Sequence, residues 1–319
     1  QAESELASIN MVYGAACTGA RVMTSSSSPG VSLMLEGLSY IAGTELPMVL
    51  VDVMRGGPGL GNIAPAQSDY NQIVHGGGHG DYYPIVLAPA NVQEAIDLTV
   101  LAFDLAEKYR SIVVVLADGT LGQMMEPAEL PEMQPLKDTF PDWAVSGAKN
   151  REHRILTSIY LNPPDEEATN LRLLRRWKEV EANEVRYKTY FMDDAKYMVV
   201  SFGTAGRVAL SAVRAARAEG IPVGLLRPIT LKPYPNQVIE DLRDQLEAIL
   251  VVEMNAGQML DDVRLVVSGR VPVEFYGRPG GIVPFPDEIL AEIRSLAKGN
   301  YSLTGHPRDR WLMRMTSAN

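Results

Sequence analysis

The stretch from Pro47 to Asn62 constrains this chain more than any other. It reads Pro-Met-Val-Leu-Val-Asp-Val-Met and then Arg-Gly-Gly-Pro-Gly-Leu-Gly-Asn. A short, apolar, valine-rich run is the pattern of a strand covered on both faces, as in a parallel sheet. It stops at one charge, Arg55, with Gly56, Gly57, Gly59 and Gly61 behind it. In open parallel sheets ligands bind beyond the carboxyl ends of the strands, which is where Arg55 falls. A guanidinium grips a carboxylate or phosphate with a two-pronged hydrogen bond, and glycines let a ligand approach the backbone. Arg55, Gly56 and Gly57 are therefore candidate site residues. The competing reading is a surface arginine ahead of a flexible loop.

The rest of the chain repeats the alternation of strand and helix. Strands are expected at Arg21–Thr24, Pro84–Ala88 and Ile112–Leu116, with helices over Glu3–Ala20, Val31–Ala42 and Val92–Tyr109. That order predicts a doubly wound α/β domain over residues 1–165. Residues from about 132 to 165 are proline-rich and irregular, and a charged helix over Asn170–Tyr187 reads as a solvated connector within residues 166–194. From residue 195 to 319 strands and helices alternate again, predicting a second, smaller α/β domain. At 319 residues the chain has room for two cores.

Composition excludes several functions. With 29 basic against 39 acidic residues and no basic cluster, nucleic acid is not an expected partner. No run reaches the roughly 18 apolar residues a membrane span needs, and a cytoplasmic protein is expected. Cys17 is the only cysteine, so this chain cannot supply the usual four thiolates of an iron–sulfur cluster. Any such cluster would sit on another chain. The sequence opens at Gln1 and enters a helix almost at once, which reads as a fragment lacking an N-terminal segment.

Three further places carry candidate chemistry. On a helical wheel with Glu5 at zero, Ile9, Val12, Ala16, Tyr13 and Leu6 fall between about −20° and +100°, so Glu5 lies inside the apolar stripe. A carboxylate there needs a partner or a raised pKa, unless it binds backbone amides at the helix start. Ser25 to Ser28 precede a helix, where serines usually cap and where Ser28 could also face a ligand. In His75-Gly-Gly-Gly-His79 the glycines argue against a helical metal pair and for a loop over a pocket, lined in part by His79.

Taken together, Ser-Glu5 in the small-residue helix, Thr-Ser-Ser-Ser-Ser-Pro-Gly, Met-Arg55-Gly-Gly-Pro-Gly-Leu-Gly-Asn, Gly-Gly-Gly-His-Gly-Asp, Asp118-Gly-Thr-Leu-Gly-Gln-Met-Met-Glu-Pro and Leu-Arg-Pro-Ile-Thr-Leu resemble the alpha-type subunit of 2-oxoacid:ferredoxin oxidoreductases. The resemblance spans nearly the whole chain. It implies a first domain that binds the pyrimidine half of thiamine diphosphate and a second like the C-terminal domain of transketolase. It places the diphosphate and its Mg2+ on a beta-type subunit, and adds a gamma-type subunit and a ferredoxin-like iron–sulfur subunit. The reaction implied is oxidative decarboxylation of a 2-oxoacid to an acyl-CoA, with CoA as co-substrate and ferredoxin as acceptor. The Arg55 loop is most similar to the 3-methyl-2-oxobutanoate type, then to the 2-oxoglutarate type. Glu5 matches the glutamate held against the pyrimidine N1′, and Arg55 the residue that grips the substrate carboxylate. The family's N-terminal Pro-Ile-Thr-Pro-like loop has no counterpart here.

Two other readings compete. A dinucleotide-binding dehydrogenase would use Gly57-x-Gly59-x-Gly61, but the spacing is not G-x-G-x-x-G and Pro65 interrupts a following helix. A non-catalytic assembly subunit would not explain a glutamate in an apolar stripe.

Overall fold

The computed structural model describes residues 1–133, 135 and 139–317. Part of the irregular stretch expected at 132–165 thus lies outside the described residues. The first sheet contains β1 (Met23–Ser26), β2 (Met48–Met54), β3 (Ile85–Leu87) and β4 (Ile112–Asp118) in the order β1-β2-β4-β3, all parallel. Alternation along β2 shows why its sequence is apolar throughout. Val49 joins a core with Leu98, Leu105, Trp177 and Val180 on one face, while Leu50 joins Ile9, Met34 and Leu38 on the other. The helices on these faces are α1 (Glu5–Cys17) and α2 (Ser28–Gly43) opposite α3 (Val92–Tyr109) and α5 (Pro163–Asn183). A short α4 (Gly119–Gln123) follows β4.

The second sheet is built of β5 (Tyr187–Tyr190), β6 (Tyr197–Val200), β7 (Val223–Pro228), β9 (Ala248–Glu253) and β10 (Val273–Gly277). Its order is β10-β9-β6-β7-β5, with β5 antiparallel and the others parallel. Helices α6 (Gly203–Ala218), α7 (Asn236–Leu242), α8 (Met259–Val267) and α9 (Pro286–Ala297) alternate with them, and α10 (Pro307–Ser317) closes the described chain. Both halves are thus α/β with parallel-dominated sheets.

Three features depart from the sequence reading. The charged helix is not wholly solvated: Trp177 and Val180 are buried against the first sheet, and Arg172 and Arg176 both bind the buried Glu45. Against the cost of burial, those two guanidinium groups hold the Glu45 carboxyl below the usual range. The end of that stretch forms β5, and β8 (Thr230–Lys232) leaves the second half to pair antiparallel with β3. Among the described residues no helix is long and apolar enough to cross a membrane.

Candidate functional site

The site grows from the adjacent carboxyl ends of β1 and β2, where Ser26 stands beside Asp52 in register. Ser27 occupies the cap position of α2 but makes no side-chain capping bond, so the capping expected of these serines is not found there. Ser28 ties elements together instead. Its Oγ accepts from the Arg55 backbone N–H at 3.1 Å and donates to a carboxylate oxygen of Asp69. The Ser68 hydroxyl donates to the Arg55 carbonyl at 2.8 Å. The backbone of Arg55 is therefore held on both sides.

Beyond Arg55 the glycine loop turns back on itself. Asn62 N–H donates to Gly56 O at 3.0 Å, Gly56 N–H to Ala64 O at 3.0 Å, and Arg55 pairs with Pro65 as an isolated antiparallel bridge. Gly61 has φ +55°, and a Cβ there would lie 1.8 Å from Gly56 O. Only glycine permits that approach. No helix starts here, which removes the structural basis of a dinucleotide reading. The guanidinium of Arg55 forms no ion pair among the described residues; one nitrogen reaches Asn62 O at 3.4 Å, and Nε is buried without a partner. A fork with spare donors at a strand end is suited to an anion.

Glu5 opens α1 on the other side of the β1–α2 turn. Its carboxylate makes no hydrogen bond to the helix-start amides among the described residues, and it is half-buried. The stripe it was expected to share is carried by Ile9, Val12 and Ala16, while Leu6 is exposed. Glu5 packs where α2 lacks a side chain: a Cβ on Gly30 would lie 2.8 Å from Glu5 Oε1 and 2.1 Å from Ser26 Oγ. The absent methyl leaves room for the carboxyl.

A cavity of about 430 Å³ opens between the halves of the molecule, lined by Ser28, Gly56, Gly57, Ser68, Asn255 and Gln258 among others. Ser28, Gly56 and Gly57 therefore meet at one wall. Arg55 and Glu5 do not line this cavity themselves. His79 is elsewhere: its carbonyl accepts from Ser39, and its ring meets Tyr40 edge-on. Ser39 is three turns along α2 from Ser28, about 16 Å at the helical rise. His75 crosses to the second half, where Asp262 binds it at 3.0 Å and Tyr70 at 2.5 Å.

Several anchoring residues escaped the sequence reading. Gln67 accepts from Met254 N–H and donates to Phe202 O, both at 2.9 Å, and its carbonyl receives Asn255 Nδ2 at 2.7 Å. Asp118 caps α4 and accepts from Thr204 at 2.9 Å. Glu94 receives both arms of the buried Arg227. Only Asp118, the last residue of β4 and part of a motif noted in the sequence, carried a local signal; Gln67 lies in a loop and Glu94 in the first turn of α3, where polar residues are ordinary.

Residues 1–191 match the family described as pyruvate flavodoxin/ferredoxin oxidoreductase, thiamine diphosphate-binding, and residues 195–289 match pyruvate:ferredoxin oxidoreductase core domain II. The chain belongs to the 2-oxoacid:ferredoxin oxidoreductase family. It is 53% identical over 297 residues to the ketoisovalerate oxidoreductase subunit VorB of Methanothermobacter thermautotrophicus, covering 93% of this chain and 84% of that one. To the 2-oxoglutarate synthase subunit KorA of Methanothermobacter marburgensis it is 36% identical, covering 93% and 86%. Among solved structures, the 2-oxoglutarate:ferredoxin oxidoreductase from Magnetococcus marinus superposes with a TM-score of 0.78 at 27% identity, over 92% of this chain and 56% of that chain. A split-gene transketolase, 13% identical with a TM-score of 0.57 over 92% and 81%, shares the fold alone. The family and the transketolase-like architecture thus agree with the resemblance seen in the sequence motifs.

Proposed function

We propose that this chain supplies the pyrimidine side of a thiamine diphosphate site and the clamp for the substrate carboxylate in an oxidoreductase that converts a branched 2-oxoacid to its acyl-CoA. The observation that carries this reading is a pair of charges flanking one turn: among the described residues the Arg55 fork has no ion pair and spare donors, and the Glu5 carboxyl has no hydrogen bond while facing the space at Gly30. Thiamine diphosphate, when bound, supplies a nucleophilic carbon that adds to the 2-oxo group and accepts the electrons left by decarboxylation. Glu5 would hold a proton at the pyrimidine N1′, and the space in front of Gly30 fits a carboxyl placed to do so. Arg55 would bind the carboxylate with two parallel bonds, orienting the bond that breaks. The diphosphate with its Mg2+, the iron–sulfur clusters and the gamma-type subunit are assigned to partner chains, and ferredoxin takes the electrons. The lone cysteine here supports that division of labour.

The substrate assignment rests on similarity: identity is higher to a ketoisovalerate oxidoreductase subunit than to 2-oxoglutarate synthase subunits. CoA as the acyl acceptor is supported by the solved relative, described with 2-oxoglutarate, coenzyme A and succinyl-CoA bound. In the assembled enzyme, Arg55→Ala should lower kcat/KM for every 2-oxoacid by about ten- to a hundred-fold, with Arg55→Lys in between, because lysine keeps the charge and loses the fork. Full activity of Arg55→Ala, or loss toward one substrate only, rejects the clamp. Glu5→Gln should nearly stop C2 proton exchange of thiamine without unfolding the chain, and Glu3→Gln should do little. Exchange at the wild-type rate in Glu5→Gln rejects that assignment.

A further inference from the structure

Asp52 is an anomaly in β2. It lies on the same face as Met48 and Leu50, within the core beneath α2, and is fully buried. Among the described residues neither of its oxygens receives a hydrogen bond. A buried carboxylate in that state is costly, and no cation among the described residues pairs with it. Its register neighbours, Ser26 on β1 and Leu116 on β4, are uncharged. The group it does meet is a second buried acid, Asp69, which comes within hydrogen-bonding reach from the turn before the π-helical segment Asn71–Gly76. Two ionised carboxylates can only accept, so a bond between them requires a proton on one.

We propose that Asp52 and Asp69 form an acid pair that holds one proton between them and, through Ser28, fixes the backbone from which Arg55 reaches the substrate. The hydrogen bonds have a consistent direction. Protonated Asp52 donates to Asp69, Asp69 accepts from Ser28 Oγ, and Ser28 Oγ accepts from Arg55 N–H. Burial and the neighbouring Asp69 push the Asp52 carboxyl well above the ordinary range, while the nearby Ser28 backbone N–H works weakly against this. Burial also raises Asp69, opposed by Ser28, Asp52 and the charge of Arg55. The single negative charge left on the pair feels the charge of Arg55 but forms no ion pair with it among the described residues, so the donors of the fork stay available. Asp52 lies behind the cavity wall and Asp69 lines it beside Ser28 and Gly56, so both are positioning residues that act through Ser28 on Arg55.

The positioning role rests on the Arg55 reading, whereas the shared proton does not, and two measurements separate them. At neutral pH, infrared difference spectra of the assembled complex should show a protonated-carboxyl C=O band in wild type that Asp52→Asn lacks. Asp69→Asn should keep that band but shift it, because the proton loses its carboxylate acceptor. A wild type without the band, or Asp52→Asn with it unchanged, overturns the shared proton. Should Asp52→Asn not fold, an unshifted band in Asp69→Asn overturns it equally. In kinetics, Asp69→Asn should raise KM for the 2-oxoacid about ten-fold with a smaller change in kcat. Asp52→Asn still offers an N–H to Asp69 and should raise KM less than Asp52→Leu. In an Arg55→Ala background the Asp69→Asn effect should vanish, as expected of residues acting in series. An effect of full size there overturns the positioning role. If Arg55→Ala alone is silent, the clamp falls and the positioning role with it, and the infrared result still decides the proton.

Discussion

Gly30→Ala tests whether the space in front of Glu5 matters to chemistry. The added Cβ would sit 2.1 Å from Ser26 Oγ and 2.8 Å from both Cγ and Oε1 of Glu5. Bringing these contacts to ordinary separation requires Ser26 Oγ to retreat by more than about 1 Å and the Glu5 carboxyl by somewhat less. Both are ends of flexible side chains, so they can move without breaking the core. Overpacking costs about 1–3 kcal/mol, and alanine in a helix regains up to about 1 kcal/mol over glycine. The net loss of at most about 3 kcal/mol corresponds to a fall in Tm of several degrees for a chain of this size. The effect on catalysis should be larger, because a displacement of about 1 Å in a catalytic group can cost on the order of a hundred-fold. C2 proton exchange of bound thiamine, followed by NMR in the assembled enzyme, reads this directly, with thermal unfolding of the same sample as the stability control. Gly14→Ala provides the comparison: it lies on the exposed side of α1, where a Cβ meets nothing within 4 Å, and should be neutral or slightly stabilising. Exchange at the wild-type rate in folded Gly30→Ala would refute the placement of Glu5.

Arg227→Met leaves Glu94 with Lys188 as its only cation and should destabilise the chain by about 3–5 kcal/mol, measured by denaturant unfolding, because Arg227 is 4% exposed and Glu94 reaches it from the other half of the molecule. A loss below about 1 kcal/mol would show that the pair does not bind the halves together. Glu253 should give a pH signature. Burial raises its carboxyl to about 7 despite hydrogen bonds from Met259 N–H, Asn255 and Leu260 N–H. The folded state therefore retains a proton that the unfolded state releases, and this group's contribution to stability falls as pH rises from about 4.5 to about 7, by at most about 3 kcal/mol. Glu253→Gln should thus gain stability relative to wild type between pH 5 and pH 8, read as the difference in Tm. A difference independent of pH would show that Glu253 does not titrate in this window. Gly61→Ala should unfold the Arg55 loop and raise KM for the 2-oxoacid, since its Cβ would strike the Gly56 carbonyl. An unchanged KM would mean that the loop adapts without disturbing Arg55.

The candidate site was legible in the sequence where chemistry and local pattern coincided. Arg55 interrupts a buried strand and is followed by glycines, so its place at a sheet end followed from periodicity. Glu5 was marked as unusual by the apolar residues around it, although it proved to be the first residue of its helix. Ser28 was seen as a cap or a pocket residue, and its actual partners, Arg55 and Asp69, come from two other segments. His79 was drawn to the pocket by its glycines alone. Glycines indicate that the backbone turns there; they do not say at which end of α2 the turn lies.

By itself, the sequence determined the alternation of strands and helices, the two-faced burial of β2 and the glycine loop after Arg55, because periodicity and turn chemistry act between residues close in the chain. The tertiary structure decided that β8 crosses to the first sheet, that Gln67, Glu94 and Asp118 tie the halves together, and that Asp52 finds Asp69 beneath Ser28. The physical reason is that a buried polar group is stable only with its partner opposite it. Which group stands opposite is set by how separate elements pack, and no local pattern records that.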